Sequence, residues 1–193
     1  MSNGVDLNTI FFIGPQGSGK GTQARLLAEK LSFFYWEMGG ILRAVAKEDS
    51  ELGRKVKTQI DSGILLGDDD LLEVVKLRIG QMPKSQGVIF DGIPRRLWQA
   101  EFLMDYLKKQ GRQNFTTLFI DLPKEESLAR LLKRAQIEKR ADDTKEKIEF
   151  RLEQYYKDTL PVVEYLKKET NFIEIDGNQP IEKVTEDINK ALN

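Results

Sequence analysis

A glycine-rich loop with a lysine follows the first apolar run of the chain, from Gly14 to Thr22. Glycines there let backbone N–H groups surround phosphate oxygens, and the next helix directs its positive end at them. Lys20 adds charge for the outer phosphates. Gly21 stands where serine or threonine is usual, so the hydroxyl that would contact Mg²⁺ is displaced to Thr22. The pattern predicts a polyphosphate site whose metal is held chiefly by phosphates and water.

A second cluster follows the apolar run that ends at Phe90: Asp91-Gly92-Ile93-Pro94-Arg95. A carboxylate at the carboxyl end of a strand is well placed to hold Mg²⁺ through water. The glycine allows close approach of a ligand, and the arginine can grip a phosphate with its fork of donors. On its own, Asp91-Gly92 is typical of an ordinary turn, and it gains meaning only beside the phosphate loop.

Arginines continue the pattern in the second half of the chain. Arg130 and Arg134 lie four residues apart on an amphipathic helix, Arg140 lies in a polar stretch, and Arg151 opens onto the next helix. A phosphoryl group in transfer spreads negative charge over its oxygens, and fixed guanidiniums stabilise that charge. Each arginine taken alone is typical of a solvated surface position.

Composition narrows the chemistry further. The 193 residues include no cysteine and no histidine, which excludes disulfides, thiolate or imidazole metal sites and a histidine general base. The 30 Lys+Arg nearly cancel the 31 Asp+Glu, so no global charge favours nucleic acid or a membrane surface. We therefore expect small-molecule partners and, by default, a cytoplasmic monomer; a homo-oligomer remains open.

Together these motifs resemble the adenylate kinase family, from Thr9 almost to the C-terminus. The Lys-Gly-Thr-Gln variant of the loop is typical of it, and Asp91 to Arg95 is similar to its Asp-Gly-Phe-Pro-Arg. Met38-Gly39-Gly40-Ile41-Leu42-Arg43 resembles Thr-Gly-Asp-Leu-Leu-Arg, with Met38 at the position of the threonine, and residues 63–66 resemble Gly-x-Leu-Val. Asp176 to Pro180 resembles the family's stretch beside the ATP purine.

The resemblance implies ATP and AMP as substrates, Mg²⁺ as cofactor, and a role for each matching residue. Catalysis is implied for Lys20, Arg95, Arg134, Arg140 and Arg151. ATP binding is implied for Gly17, Ser18, Gly19, Lys20, Gly21, Thr22, Arg130, Arg134 and Gln179. AMP binding is implied for Met38, Gly39, Arg43, Ile64, Leu65, Leu66, Gly92, Arg95, Gln99, Arg140 and Arg151, and a water-mediated metal contact for Asp91.

The sequence departs from the family pattern at two positions. Met38 stands where threonine contacts the base, and Gly40 replaces aspartate. A UMP/CMP kinase or a broad-specificity enzyme is therefore an open alternative, although Gln99 favours AMP. A GTPase would need Asn-Lys-x-Asp, which Asn189-Lys190-Ala191-Leu192 does not provide. A non-catalytic nucleotide-binding protein is the third alternative.

The elements that must position these residues alternate between short apolar runs and periodic segments. Strands are predicted at Thr9–Ile13, Phe33–Trp36, Val88–Phe90, Thr117–Asp121 and Phe172–Asp176. Helices are predicted to begin near Lys20, Gly39, Glu51, Asp68, Leu97, Lys124 and Thr144 and after Pro180. This pattern predicts one three-layer α/β/α domain with a five-stranded parallel sheet. We also expect an inserted acceptor-binding arm at about 37–66 and a short lid at about 135–144.

Overall fold

The computed structural model describes residues 9–62, 66–83, 86–138 and 144–192. Within these residues, one five-stranded sheet has the strand order β2-β3-β1-β4-β5, and every neighbouring pair is parallel. The strands are β1 (Thr9–Ile13), β2 (Phe34–Glu37), β3 (Val88–Asp91), β4 (Phe115–Asp121) and β5 (Asn171–Asp176). The predicted α/β class and parallel sheet are confirmed.

Helices flank this sheet and make its crossover connections. They are α1 (Lys20–Leu31), α2 (Met38–Val45), α3 (Glu51–Ser62), α4 (Asp68–Ile79), α5 (Leu97–Lys109), α6 (Lys124–Glu138), α7 (Lys145–Gln154), α8 (Leu160–Glu169) and α9 (Ile181–Ala191). Thr144 caps α7, since its side chain accepts a hydrogen bond from the backbone N–H of Lys147.

Both faces of the sheet are buried, as a parallel sheet requires. Along β1, Phe11 and Ile13 pack into one apolar core, whereas Ile10 and Phe12 pack into another. Successive side chains of a strand point to opposite faces, so the two cores lie on opposite sides of the sheet. The unbroken apolar run of β1 follows from this double burial.

Several predicted boundaries differ from the structure, mostly by one or two residues at strand ends. Strand β2 ends at Glu37 and α2 begins at the next residue, so no loop separates them. Helix α6 runs to Glu138, so the first four residues of the predicted lid are helical rather than part of a loop. The single helix expected after Thr144 is instead α7 and α8, joined by a π-helical turn over Tyr155–Thr159.

The strands β1, β2 and β3 end at the same edge of the sheet, where the phosphate loop and Asp91 follow. Ligands of open α/β sheets bind at this carboxyl edge, beside the point where the strand order reverses. In the part of the chain that the structure describes, no helix is long and apolar enough to cross a membrane.

Candidate active site

The phosphate loop contains backbone conformations that only glycine adopts without strain. Gly17 and Gly19 have φ angles of 86° and 84°, in the left-handed region that favours glycine. Gly19 immediately precedes α1, so the loop lies against the positive end of that helix. Ser18 is buried and Thr22 is exposed at the edge of the cleft. This geometry suits binding of an anion by backbone N–H groups.

Lys20 lies at the floor of the cleft, where its Nζ donates a hydrogen bond to the carbonyl of Pro15 over 3.1 Å. Burial lowers the pKa of Lys20 to about 8, with Asp91 opposing the shift and nearby arginines adding to it. A buried ammonium surrounded by other cations is poised for a ligand that brings negative charge. A polyphosphate is such a ligand.

Asp91 ends β3 and is held by a neighbouring strand. The hydroxyl of Tyr35, on β2, donates to its Oδ2 over 2.9 Å. Burial, followed by the charge of Asp91, raises the pKa of Tyr35, so the phenol stays protonated as the donor. A Cβ at Gly21 would lie 3.1 Å from the same Oδ2, so the missing side chain leaves room for this carboxylate.

Asp91 is the carboxylate of this site that suits Mg²⁺. Among the described residues, no group of three or more acidic or imidazole side chains forms a metal cage. Asp91 alone, nearly buried and close to Lys20, suits a hexahydrated or nucleotide-bound Mg²⁺ held through water, because Mg²⁺ keeps several waters and binds few carboxylates. The site fits a metal that arrives with phosphates.

Arg95 is fixed by several backbone contacts. Its Nε donates to the carbonyl of Gly92 over 2.9 Å, and its backbone N–H donates to Oε1 of Gln99 over 2.7 Å. Its own carbonyl accepts a hydrogen bond of 3.1 Å from Thr159, which the π-helical turn presents. Burial lowers the pKa of Arg95, as does Arg151. The guanidinium is therefore oriented before any ligand binds.

One polar cleft brings the phosphate loop together with these cations. Arg134 of α6 and Arg151 of α7 both reach it from the far side of the loop. Its lining is formed by Gln16, Gly17, Gly19, Lys20, Gly21, Thr22, Glu37, Gly39, Asp91, Gly92, Arg95, Arg134 and Arg151. The structure thus brings residues from distant parts of the chain together in one cleft.

A less polar pocket adjoins the cleft on the side of α2. Met38, Leu66 and Gln99 line it with Gly92 and Arg95. Met38 and Gln99 are buried, each about 3% exposed. An apolar wall with one buried amide suits a flat heteroaromatic ring. Arg43, by contrast, is exposed and pairs with Glu37.

On the other side of the phosphate loop, Arg130 meets the chain after β5. Its NH1 donates to the carbonyl of Gly177 over 3.1 Å, and its Nε binds Glu126 over 2.7 Å. Gln179 donates its side-chain amide to the carbonyl of Asp176 over 2.9 Å. The structure thus brings Arg130 against Gly177, and the predicted role of both beside a purine stays a prediction.

Comparison with known proteins decides the family. A sequence model described as "Adenylate kinase" matches residues 12–171. An adenylate kinase of Phocaeicola vulgatus is 38% identical over 96% of this chain and 98% of its own length. The chain belongs to the adenylate kinase family. An adenylate kinase of Bacteroides fragilis is 40% identical over the same shares, and "Adenylate kinase 1" of Nostoc sp. is 38% identical over 96% of this chain and 99% of its own.

The predicted resemblance to this family is therefore confirmed. So are the predictions that the chain is a nucleotide-binding kinase and that it belongs to the phosphotransferases. Three predicted site residues, Ile64, Leu65 and Arg140, lie outside the described residues, as do Asp142 and Asp143. Their placement in the site stays a prediction.

Three functional candidates were missed by the sequence reasoning. Tyr35 contacts Asp91, Glu37 lines the polar cleft, and Thr159 holds the backbone of Arg95. Glu37 carried one signal, since a carboxylate at the end of a strand in an adenylate kinase lies at the edge that holds the ligands. The other two depend on contacts between distant segments.

Proposed function

We propose that this chain catalyses the reversible transfer of the γ-phosphoryl group of ATP to AMP, giving two ADP. The single observation that carries this proposal is the shared cleft in which Lys20, Asp91 and Arg95 converge beside a pocket lined by Met38 and Gln99. A polyphosphate site and a site for a flat ring thus meet at one point. That arrangement is what transfer between two nucleotides requires.

On the donor side, the loop residues 17–22 would cradle the phosphates of ATP through backbone N–H groups. Lys20 would contact the outer phosphates, and burial of its charge makes this contact favourable once phosphate arrives. Arg130 and Gln179 would border the purine, an assignment supported by the contact of Arg130 with Gly177.

On the acceptor side, Arg95 and Arg43 would hold the phosphate of AMP. The base would lie against Met38 and Leu66, with the amide of Gln99 at its edge. Since Oε1 of Gln99 already accepts from the backbone of Arg95, its N–H groups are the part suited to a ring nitrogen. Gly39, Gly92, Ile64 and Leu65 would complete this pocket.

The transfer itself needs no general base. A phosphate oxygen of AMP attacks the γ-phosphorus in line, and the bond from that phosphorus to the β,γ-bridging oxygen breaks, leaving ADP. Arg134, Arg140 and Arg151 would stabilise the charge that spreads over the transferring group. Since AMP attacks as a phosphate anion, the absence of histidine from the sequence removes nothing that the reaction requires.

Mg²⁺ would be bound by the phosphates and water, with Asp91 holding its water shell. Bound there, the ion supplies charge neutralisation for the phosphate oxygens. The other expectations rest on the sequence and stay predictions: an arm at 37–66, a lid at 135–144, a monomer, and a cytoplasmic location.

The main competing function is phosphorylation of UMP, CMP or several monophosphates. Met38 favours it, because a thioether offers no donor and only a weak acceptor to a base. An acceptor panel of AMP, GMP, CMP, UMP and dAMP with saturating ATP tests the choice. We expect AMP to give the highest kcat/KM, and a higher value for UMP or CMP would overturn the assignment of the acceptor.

A further inference from the structure

The carboxylate of Glu37 bridges two helices at the mouth of the cleft. Its Oε1 accepts a hydrogen bond of 2.8 Å from NH2 of Arg43 on α2. Its Oε2 lies 3.9 Å from NH2 of Arg25 on α1. In the sheet, Glu37 is in register with Asp91 on the neighbouring strand. A single side chain thus joins the helix after the phosphate loop to the helix on the acceptor side.

The two glycines that open α2 leave the space for this ion pair. A Cβ at Gly40 would lie 3.2 Å from Oε2 of Glu37, and one at Gly39 would lie 3.1 Å from NH1 of Arg43. Both distances are tighter than ordinary van der Waals contact. The carboxylate of Glu37 therefore occupies the space that a side chain at position 40 would enter.

We propose that Glu37 acts as a positioning residue for Arg43. It holds the guanidinium beside Gly39, which lines the polar cleft, so that the phosphate of the acceptor could reach it there. This inference rests on the proposed function, because it treats Arg43 as a clamp for the phosphate of AMP.

The contact is suited to positioning because it leaves binding capacity at Arg43. The hydrogen bond to Glu37 uses one terminal nitrogen, and a guanidinium carries five N–H donors. A phosphate can therefore bind the same guanidinium while the carboxylate holds it. The side chain of Arg43 is 51% exposed. Without the carboxylate it would lose rotamer freedom each time the acceptor binds, which weakens acceptor binding.

Moving the carboxylate along the chain tests this proposal. The variants are Glu37→Ser, Gly40→Asp and the double variant Glu37→Ser/Gly40→Asp. Because the pair is partly exposed, we expect Glu37→Ser to raise the KM for AMP by about two- to fivefold. The kcat and the KM for ATP should stay within about twofold of the wild type, since the contact acts on acceptor binding.

The single variant Gly40→Asp should also bind AMP more weakly, because its side chain would enter the space of Glu37 and place two carboxylates together. The double variant has one carboxylate again, so its AMP affinity should return to within about twofold of the wild type. Calorimetric titration with AMP alone measures this affinity without turnover. Glu51→Gln, which removes a carboxylate paired with Lys55 on α3, is the matched control.

Unchanged AMP affinity in Glu37→Ser, or losses that add in the double variant, would overturn the proposal. If Glu37→Ser does not fold by circular dichroism, Glu37→Gln carries the same comparison. A wild-type protein that neither binds AMP nor forms ADP contradicts the proposed function. An active wild type with an unaffected Glu37→Ser variant contradicts this inference alone.

Discussion

The hydroxyl of Tyr35 donates a hydrogen bond to Oδ2 of Asp91 over 2.9 Å, between the neighbouring strands β2 and β3. The phosphate loop has no hydroxyl next to its lysine, since Gly21 stands there. The contact to the carboxylate comes instead from a residue of the neighbouring strand. It fixes one oxygen of the carboxylate, so that the carboxylate has a set orientation for the water shell of a metal.

Tyr35→Phe should weaken metal binding while leaving the fold intact. A hydrogen bond to a charged group is worth about 1.5–3 kcal/mol, so we expect the metal affinity to fall by about tenfold or more. Mn²⁺ binding to the ATP complex, followed by electron paramagnetic resonance, measures the effect directly. Tyr165→Phe, on α8, is the control. Equal Mn²⁺ affinity in Tyr35→Phe and wild type would mean that Asp91 needs no such support.

The lowered pKa of Lys20, about 8, predicts a pH dependence of ATP binding. Below pH 8 the Lys20 amine is already protonated in the free protein. Above pH 8 it is largely neutral there, so the protein must take up a proton when ATP binds. The affinity for ATP should therefore fall between pH 8 and 9.5, by at most about tenfold per pH unit. Calorimetry in two buffers of different ionisation enthalpy measures the proton uptake.

The same lysine has the opposite effect on folding stability. Its pKa is lower in the folded state than the ordinary 10.5, so the unfolded chain binds more protons between pH 8 and 10.5. Its contribution to the free energy of unfolding should rise over that window. Lys20→Met is the control for both effects, and equal proton uptake in that variant would assign the effect to another group.

Much of the fold could be predicted because the central strands β1 and β3 are short, mainly apolar runs buried on both faces. The predicted ends of β2 and the predicted start of β4 differ from the structure by one or two residues. The pattern of apolar residues does not determine where the hydrogen bonding of a strand begins or stops. The π-helical turn at Tyr155–Thr159 leaves no mark in helical periodicity, so the break between α7 and α8 was missed.

The site was predictable where its residues are close in sequence, as in the phosphate loop and in Asp91 to Arg95. Tyr35 and Glu37 were missed because their partners come from register between β2 and β3 and from packing against α1 and α2. Such contacts have no local signature. Glu37 carried a signal by its place at the end of a strand, but its pairing with Arg43 is visible only in the structure.

Met38→Thr should sharpen the preference for AMP. Met38 is buried in the pocket that Gln99 also lines, where its thioether packs against any ring and discriminates little. The threonine hydroxyl would add one hydrogen bond to the base. We expect it to raise the kcat/KM for AMP relative to other monophosphates a few-fold, and by about tenfold at most. Competition assays between AMP and CMP measure the ratio. Unchanged ratios would show that position 38 does not select the base.

The predicted arm and lid should close over bound nucleotides, because excluding water protects the transferring group from hydrolysis. Nζ of Lys147 on α7 already donates to the carbonyl of Asp61 at the end of α3, over 3.0 Å. Two adenosines joined through five phosphates should lower hydrogen exchange at 37–66 and 135–144. Peptides from α9 are the internal control, and unchanged exchange in both segments at saturation would contradict closure.

The central claim is phosphoryl transfer from ATP to AMP, and ADP formation measures it most directly. With both nucleotides and Mg²⁺ present, ³¹P NMR should show two ADP formed for each ATP consumed, and no release of inorganic phosphate. Lys20→Met should lose more than about nine-tenths of kcat, over 1.4 kcal/mol in the barrier, while keeping its circular dichroism spectrum. Nucleotide binding without AMP-dependent ADP formation by the wild type would contradict the account.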